Sequence, residues 1–413
     1  MVSPRDDNLS ASSNLMNDNL PMMSEDRELI IDDEFLFYSV IYSTITVIFG
    51  MAVLSKFLTH EFRFGLRSLL SLGVLFVGEP MCHFLLKGVS GVLIFGLGCL
   101  FIYSILPSSH LPAHGKAVLI TGCDSGFGHA LAKKLDSIGM KVFAGCLESD
   151  GPGAIELKNS CSPELKVLHI DVTNQALIDA AFNVVSTSVG SEGLWGLVNN
   201  AGIWMVADIE LTSQASYEKV LNINFFGVVR MSRKFIPLIR KSKGRIVNVS
   251  SILGKVPLEL FSAYVASKHA IEGFSDVLRI EMRKFDIGVS VVQPGGFKTN
   301  TFMSSMINTQ KEQVWQQACP EMRELYGRQH LDEVYRVFEA ESANLPEDLS
   351  PVVRAMRSGL LSKLPRERYP CGTFVEPFMM FYPLLPIWIA DKISFAISIP
   401  RRMKSAVSNV GSK

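Results

Sequence analysis

The chain has 413 residues, 40 Lys and Arg against 40 Asp and Glu, and only 19% charged residues against 48% hydrophobic ones. The length admits two or three small domains or one large domain with extensions, and the low charged fraction with a mean hydropathy of +0.25 points to membrane segments. Zero net charge excludes a general nucleic-acid binder, and the apolar content excludes a wholly disordered chain.

Residues 1–34 are polar and acidic and read as a disordered tail. Phe35 to Leu54 follows as 20 residues without a charge, long enough to cross a bilayer. Gly88 to Leu106 is a second uncharged run, of 19 residues. Between them, Leu69 to Leu86 is apolar but carries Glu79, Pro80 and His83, so the anchor over 35–110 has two or three spans. Lys56, Arg63 and Arg67 follow the first span and its upstream flank is acidic, which puts the tail outside and the 55–67 loop in the cytosol. Three spans then leave everything after Leu106 cytosolic, and two leave it lumenal. The reading taken is three spans, an endoplasmic reticulum membrane and a cytosolic domain. The late start and missing basic flank argue against a cleaved signal peptide, and the N-terminus lacks the Arg-rich character of a mitochondrial presequence.

From Leu111 short apolar runs alternate with helical stretches. Ala117–Ile120, Lys141–Gly145, Leu165–Ile170, Leu194–Val198, Arg245–Val249 and Val289–Val292 are six predicted strands. Apolar strands separated by helices imply an α/β fold, a Rossmann-type doubly wound parallel sheet spanning 111–398, with a basic tail over 399–413. Thr121-Gly122-Cys123-Asp124-Ser125-Gly126-Phe127-Gly128 opens the first crossover helix, where a dinucleotide pyrophosphate would rest on the helix N-terminus. Asn199-Asn200-Ala201-Gly202 follows the fourth strand, Ser250-Ser251 the fifth and Pro294-Gly295 the sixth. Tyr264 and Lys268 lie four apart on one predicted helix and so share a face. Seven scattered cysteines form no disulfide framework, and no Cys/His cluster suggests a metal.

These motifs in register, over about 112–330, resemble the short-chain dehydrogenase/reductase family. The resemblance implies that Thr121, Gly122, Ser125, Gly126, Phe127 and Gly128 cradle the cofactor, that Asp171 bonds the adenine, and that Asn199 and Gly202 line the cleft and brace the sheet. Pro294 and Thr299 would close it, Thr299 bonding the carboxamide. Tyr264 would be the general base, Ser251 would bond the substrate oxygen, and Asn224 would anchor a water in the proton relay. Lys268 would hold the nicotinamide ribose and, with the nicotinamide cation, favour the phenolate. Cys146-Leu147 after the second strand offers no basic partner for a 2′-phosphate and Glu148 is acidic, which favours NAD over NADP.

The stretches Lys133-Lys134-Leu135-Asp136-Ser137, Gly153-Ala154-Ile155-Glu156-Leu157 and Gly193-Leu194-Trp195-Gly196-Leu197-Val198 are similar to the branch containing hydroxysteroid, retinol and D-3-hydroxybutyrate dehydrogenases. The implied reaction is oxidation of a secondary alcohol by a homodimer tied to a lipid bilayer, on a lipophilic substrate, a steroid before a retinol-like alcohol, with 3-hydroxybutyrate third. The rival from another class is a catalytically silent nucleotide-binding scaffold. Residues after Thr299, beginning with Met303, Met306 and Ile307, are expected to form the substrate lid. Phe378 to Ile389 is apolar but broken by Pro383 and Pro386, too short to span; it would pack on the pocket, meet a second copy or lie on a membrane. Asn8-Leu9-Ser10 is usable as a glycosylation sequon only if the tail is lumenal, and Asn248-Val249-Ser250 is discounted because it falls in a predicted core strand.

Overall fold

The computed structural model of the protein describes residues 33–58, 71–86, 88–106, 110–299 and 304–397. The acidic tail before residue 33, the basic 59–70 linker, Met303 and the basic C-terminal tail lie outside the described residues. The chain divides into one unit up to Pro107 and a second from Ser108.

In the first unit α1 spans Asp33–Leu58. It is largely apolar and leaves Leu36, Val47, Ile48 and Leu54 exposed. Its stretch Glu34–Leu54 is the one helix among the described residues long and apolar enough to cross a membrane, by length and composition. A π-helical turn at Val74–Gly78 leads into α2, Glu79–Leu85, and α3 covers Val89–Ile105. Their apolar helical stretches, Ser71–Leu85 and Val89–Tyr103, are shorter. The polar residues that interrupt the middle segment face α1. Thr46 Oγ1 donates to Glu79 Oε2 at 2.7 Å, and the His83 ring packs edge-on against Phe35 and Tyr42 at 4.8 and 4.9 Å. Polar groups inside an apolar bundle take partners from neighbouring helices in this way.

The second unit is built on seven parallel strands in the order β3-β2-β1-β4-β5-β6-β7. They are β1 Ala117–Thr121, β2 Lys141–Cys146, β3 Lys166–His169, β4 Gly196–Asn199, β5 Arg245–Val249, β6 Gly288–Pro294 and β7 Arg368–Cys371. β1 and β4 are buried along their whole length, as a sheet covered on both faces requires. On one face pack α4 (Gly126–Ser137), α5 (Pro152–Ser160) and, from further along the chain, the helix Ser350–Leu361, through Leu131, Leu135, Leu157, Val352 and Met356. On the other pack α6 (Gln175–Val189), the helix Gly227–Ser242 and the helix Ser262–Met282, through Ile178, Val185, Met231, Phe235 and Leu278. Between these, α7 is Gln214–Leu221, which makes the next two α8 and α9.

The six strands expected from the sequence are joined by a seventh. β7 is four residues long and contains Pro370, which lacks a ladder donor and fits only at an edge. The strand order reverses between β1 and β4, so the loops after these two strands form the crevice where α/β sheets bind ligands. A third cluster lies beside the sheet. It contains α10 (Ser304–Gln317), α11 (Pro320–Ala343), α13 (Val375–Phe381), a 3-10 turn at Tyr382–Leu384 and α14 (Ile387–Ile397), with Ser350–Leu361 counted as α12. Ile307 is fully buried in it and Met306 faces outward.

Candidate active site

The loop after β1 is shaped by what glycine permits. Gly122 has φ +71°, and a Cβ there would stand 2.9 Å from Ala201 Cα. At Gly128 a Cβ would stand 2.2 Å from the Gly122 carbonyl oxygen. Gly126, at φ +63°, begins α4 and lies against Thr299 Cγ2. The helix cap, Ser125, makes no side-chain hydrogen bond to the first turn, so the N–H groups over Gly126, Phe127 and Gly128 keep their anion-binding capacity. Phe127 instead packs edge-on against Phe297 at 5.8 Å. A closed backbone cradle at an uncapped helix N-terminus fits a dinucleotide pyrophosphate.

The loop after β4 locks that cradle. Thr121 Oγ1 accepts from the Asn200 and Ala201 N–H groups, both at 3.0 Å, and Asn200 Nδ2 donates to the Thr121 and Gly122 carbonyls at 2.9 and 3.1 Å. Asn199 points the other way. Its Nδ2 donates to Asn248 Oδ1 at 2.8 Å and Ser232 Oγ at 3.1 Å, inside the sheet. Asn199 thus ties β4 to Asn248 and Ser232, while the amide that ties the glycine loop belongs to Asn200. Asp124 adds a second tie, accepting from the Leu147 and Glu148 N–H groups at 3.1 and 3.0 Å and fixing the loop to the end of β2. Asp171 Oδ1 accepts from Thr173 N and Oγ1 at 2.8 and 2.7 Å, so this oxygen shapes its own turn. Beside it, Leu147, Glu148, Asp150 and His169 line a groove, and the nearby cation Lys158 is paired with Asp150 at 3.2 Å.

The polar centre of the crevice combines three elements. Ser251 ends the extension of β5, where its Oγ accepts from Leu253 N at 3.1 Å and lies 3.4 Å from the Pro294 carbonyl at the end of β6. It also lies near enough to the Tyr264 phenol to act on its titration. Tyr264 and Lys268 share one face of α9, with the ammonium 5.4 Å from the ring centroid. Lys268 Nζ donates to the Val249 carbonyl at 2.9 Å and is buried. Asn224 sits in a π-helical turn, Asn222–Phe226, between α7 and α8; such bulges cluster at functional sites. Its amide is spent on Ile203 O and Ser267 Oγ at 2.8 and 3.0 Å, while its Oδ1 accepts from Ile203 N at 2.8 Å. A Cβ on Gly202 would meet both Asn224 Oδ1 at 3.3 Å and Lys268 Nζ at 3.7 Å, so this glycine lets the two approach each other.

Burial sets the electrostatics. It pushes the Tyr264 phenol up to about 12, against the opposing effect of the Ser251 hydroxyl. It pulls Lys268 down to about 8, against the opposing pull of the Glu272 carboxylate. The ammonium alone therefore does not turn Tyr264 into a phenolate; that needs a further positive charge in the cleft, the part the sequence analysis gave to the nicotinamide cation.

One turn beyond Lys268, Glu272 is buried and was not singled out by sequence. Its Oε1 accepts from Gln293 Nε2 and its Oε2 from Arg368 Nε, both at 3.0 Å, and Arg368 Nη2 donates to Asp276 at 2.7 Å. Lys268, Glu272 and Asp276 at i, i+4 and i+8 were the only sequence signal for it. Cys123 and Cys146 lie beside the glycine loop, where burial raises both thiols, Cys146 to about 12, so they pack as neutral groups. No group of His, Cys, Asp and Glu suited to a metal occurs among the described residues.

The wall beyond Tyr264 is aromatic. Phe261 lies 6.5 Å from the Tyr264 ring and 5.9 Å from Phe338, whose ring meets Trp204 at a tilt, 4.9 Å between centroids. Gln310 and Tyr335 clip this wall to the Trp204–Val206 backbone, Gln310 Nε2 donating to Trp204 O at 2.9 Å and Tyr335 to Val206 O at 2.8 Å.

The short chain dehydrogenase family profile matches residues 116–311. The chain is 38% identical over 314 residues to human 17-beta-hydroxysteroid dehydrogenase type 2, covering 75% of this chain and 81% of that protein. It is 41% identical to rabbit (Oryctolagus cuniculus) 11-beta-hydroxysteroid dehydrogenase type 2, over 67% of this chain and 68% of the relative. It is also 41% identical to the mitochondrial D-beta-hydroxybutyrate dehydrogenase of Bos taurus, over 68% and 84%. A crystal structure of a short-chain dehydrogenase from Streptomyces avermitilis superposes with a TM-score of 0.51 at 25% identity, over 70% of this chain and 98% of that one. The chain belongs to the short-chain dehydrogenase family and is an NAD(P)-dependent oxidoreductase acting on CH–OH groups.

Proposed function

We propose that this protein is a membrane-bound, NAD-dependent dehydrogenase that oxidises a secondary alcohol on a lipophilic substrate, a hydroxysteroid, to its ketone. The observation that carries the reading is the Ser251–Tyr264–Lys268 constellation set against an aromatic, apolar wall. NAD, when bound, supplies the hydride acceptor. Gly122, Gly126 and Gly128 with the first turn of α4 would hold its pyrophosphate. The acidic Glu148 and Asp150 beside the end of β2 favour free ribose hydroxyls over a 2′-phosphate.

Ser251 Oγ would orient the alcohol oxygen, and Tyr264 Oη, as the phenolate that Lys268 and the nicotinamide charge would together favour, would take its proton. In the reverse direction the neutral phenol formed in this way is the acid. Lys268, fixed by the Val249 carbonyl, places charge beside the ring and would steady the ribose. Asn224, held at three points, keeps the Ile203 backbone and Ser267 in place behind the two.

A steroid is preferred to a hydroxy acid because the cations of α10 and α11 are engaged. Arg328 pairs with Glu312 and Asp332, Lys311 with Asp332, and Arg336 with Glu333. A retinol-type alcohol fits the same apolar wall, and a mouse relative at 38% identity is named retinol dehydrogenase 7. The apolar helix Glu34–Leu54 supports anchoring, with an endoplasmic reticulum location, a cytosolic catalytic unit and a homodimer as parts of the proposal. The test is to incubate membranes carrying the full chain with NAD or NADP and a panel of hydroxysteroids, retinol and 3-hydroxybutyrate. Reduced NAD formed with a hydroxysteroid is expected. Bound NAD with no turnover of any alcohol would establish the scaffold reading instead.

A further inference from the structure

The C-terminal helices α13 and α14 are apolar on two sides. Their inner side belongs to the cluster that contains Tyr264, with Met379 and Tyr382 buried and Val375, Phe378 and Leu385 packed against them. Tyr382 Oη pairs with Ser394 Oγ at 3.0 Å and ties the turn to α14. Their outer side is as apolar as the inner. Phe374 is 80% exposed, Leu384 76% and Ile387 79%, with Phe381 and Trp388 more than half exposed. Large neighbouring apolar side chains on a folded surface mark a contact with protein or lipid.

Three features single out lipid. Neither helix, at 7 and 11 residues, is long enough to span a bilayer, so both would lie along its surface. Trp388 carries Lys392 at 5.2 Å from its ring, an aromatic residue with a cation at its rim, as at a headgroup boundary. From 375 to the end the chain has five basic residues, Lys392, Arg401, Arg402, Lys404 and Lys413, against two acidic ones, Glu376 and Asp391, and Glu376 is paired with Arg366 at 3.0 Å. The positive surplus is carried by the sequence that follows α14, and a basic sequence joined to an apolar face complements an anionic leaflet.

We infer that the outer face of α13, the Tyr382–Leu384 turn and α14 rests in the interfacial layer of a phospholipid bilayer. This face then hands a lipophilic alcohol from lipid to the aromatic wall beside Tyr264 without passage through water. The inference rests on the membrane-bound reading proposed above and adds a second contact, on the catalytic unit itself.

The test places a bimane label on the full chain in vesicles of phosphatidylcholine and phosphatidylserine, mixed about 4:1, with brominated acyl chains. Cys161 and Cys319, neither of them buried, are first replaced by Ser. Label at Leu384→Cys is compared with label at Ile280→Cys, an apolar site on α9 that is also about two-thirds exposed. Quenching by brominated lipid at least threefold stronger at 384 than at 280 is expected. Equal quenching at the two sites overturns the inference. So does an unquenched 384 label that becomes shielded from aqueous iodide only as protein concentration rises, which assigns the face to a second copy. Quenching needs no turnover, so it stands or falls separately from the substrate assignment. In the same vesicles, Leu384→Glu combined with Ile387→Glu is expected to raise KM for a membrane-dissolved alcohol about tenfold while kcat holds. An unchanged KM would refute the delivery role.

Discussion

Between residues 117 and 299 the site is held by polar contacts of fixed direction; between 304 and 397 it is held mainly by apolar area. In the first region Thr121, Asn200 and Asp124 each make two or more hydrogen bonds that lock one loop to another. In the second, Phe338, Met379 and Tyr382 belong to one apolar cluster that also takes in Trp204 from the first region, with Gln310 and Tyr335 as clips. Hydrogen bonds fail abruptly when a donor moves by an ångström, whereas apolar packing tolerates changes of shape at similar volume. The first region is thus suited to one cofactor in one pose, and the second to a substrate class.

The largest expected effect breaks the rigid side. Gly128→Val drives side-chain atoms into the Gly122 carbonyl, already 2.2 Å from a bare Cβ. NAD binding should weaken at least a hundredfold in a fluorescence titration; unchanged affinity would remove the glycine loop from the cofactor site.

Lys268→Met should abolish most turnover yet stabilise the fold, because it deletes a buried ammonium. In the folded protein burial lowers this lysine to about 8, against 10.5 for the exposed group. Between these values the unfolded chain binds more protons, so stability rises with pH from about 8 to 10. Below 8 the burial penalty is fully present. Above 10 Tyr264, raised to about 12, acts in the opposite sense. Thermal melts from pH 7 to 10 should climb in the wild type and flatten in Lys268→Met; parallel curves would mean that Lys268 is not the group titrating.

Glu272→Gln removes a buried carboxylate that accepts from Arg368 and Gln293 and should cost about 2 kcal/mol, less than a fully buried pair because Arg368 is partly exposed and keeps Asp276. Denaturant unfolding measures it, and a loss below about 1 kcal/mol would show that Asp276 alone satisfies Arg368. The smallest effect belongs to the apolar side. Met379→Ala should raise KM for a bulky alcohol severalfold with kcat nearly unchanged. An equal fall in kcat would show that this wall also positions the reacting atoms.

The parts legible in the sequence are those encoded at short spacing on one element. The glycine loop lies within eight residues, and Tyr264 and Lys268 are one helical turn apart. The uncharged run Phe35–Leu54 was legible by length and composition, and the helical stretch that passes the same test is Glu34–Leu54. Glu272 and Arg368 were hidden because their partnership spans 96 residues and arises only when β7 joins the sheet. β7 itself was hidden by its four-residue length and Pro370. Asn199 and Asn200 are adjacent and identical in chemistry, and only the strand's alternation decides which one faces the sheet and which the loop. The raised phenol of Tyr264 could not be read from residue order, since burial and not the neighbouring lysine dominates it.

The most direct test of the account is Tyr264→Phe in the full chain, with NAD affinity and alcohol oxidation measured on the same preparation. The proposed proton transfer at Tyr264 Oη requires turnover to fall by at least about a hundredfold while NAD binds as before. Oxidation that persists within a fewfold of wild type would contradict it.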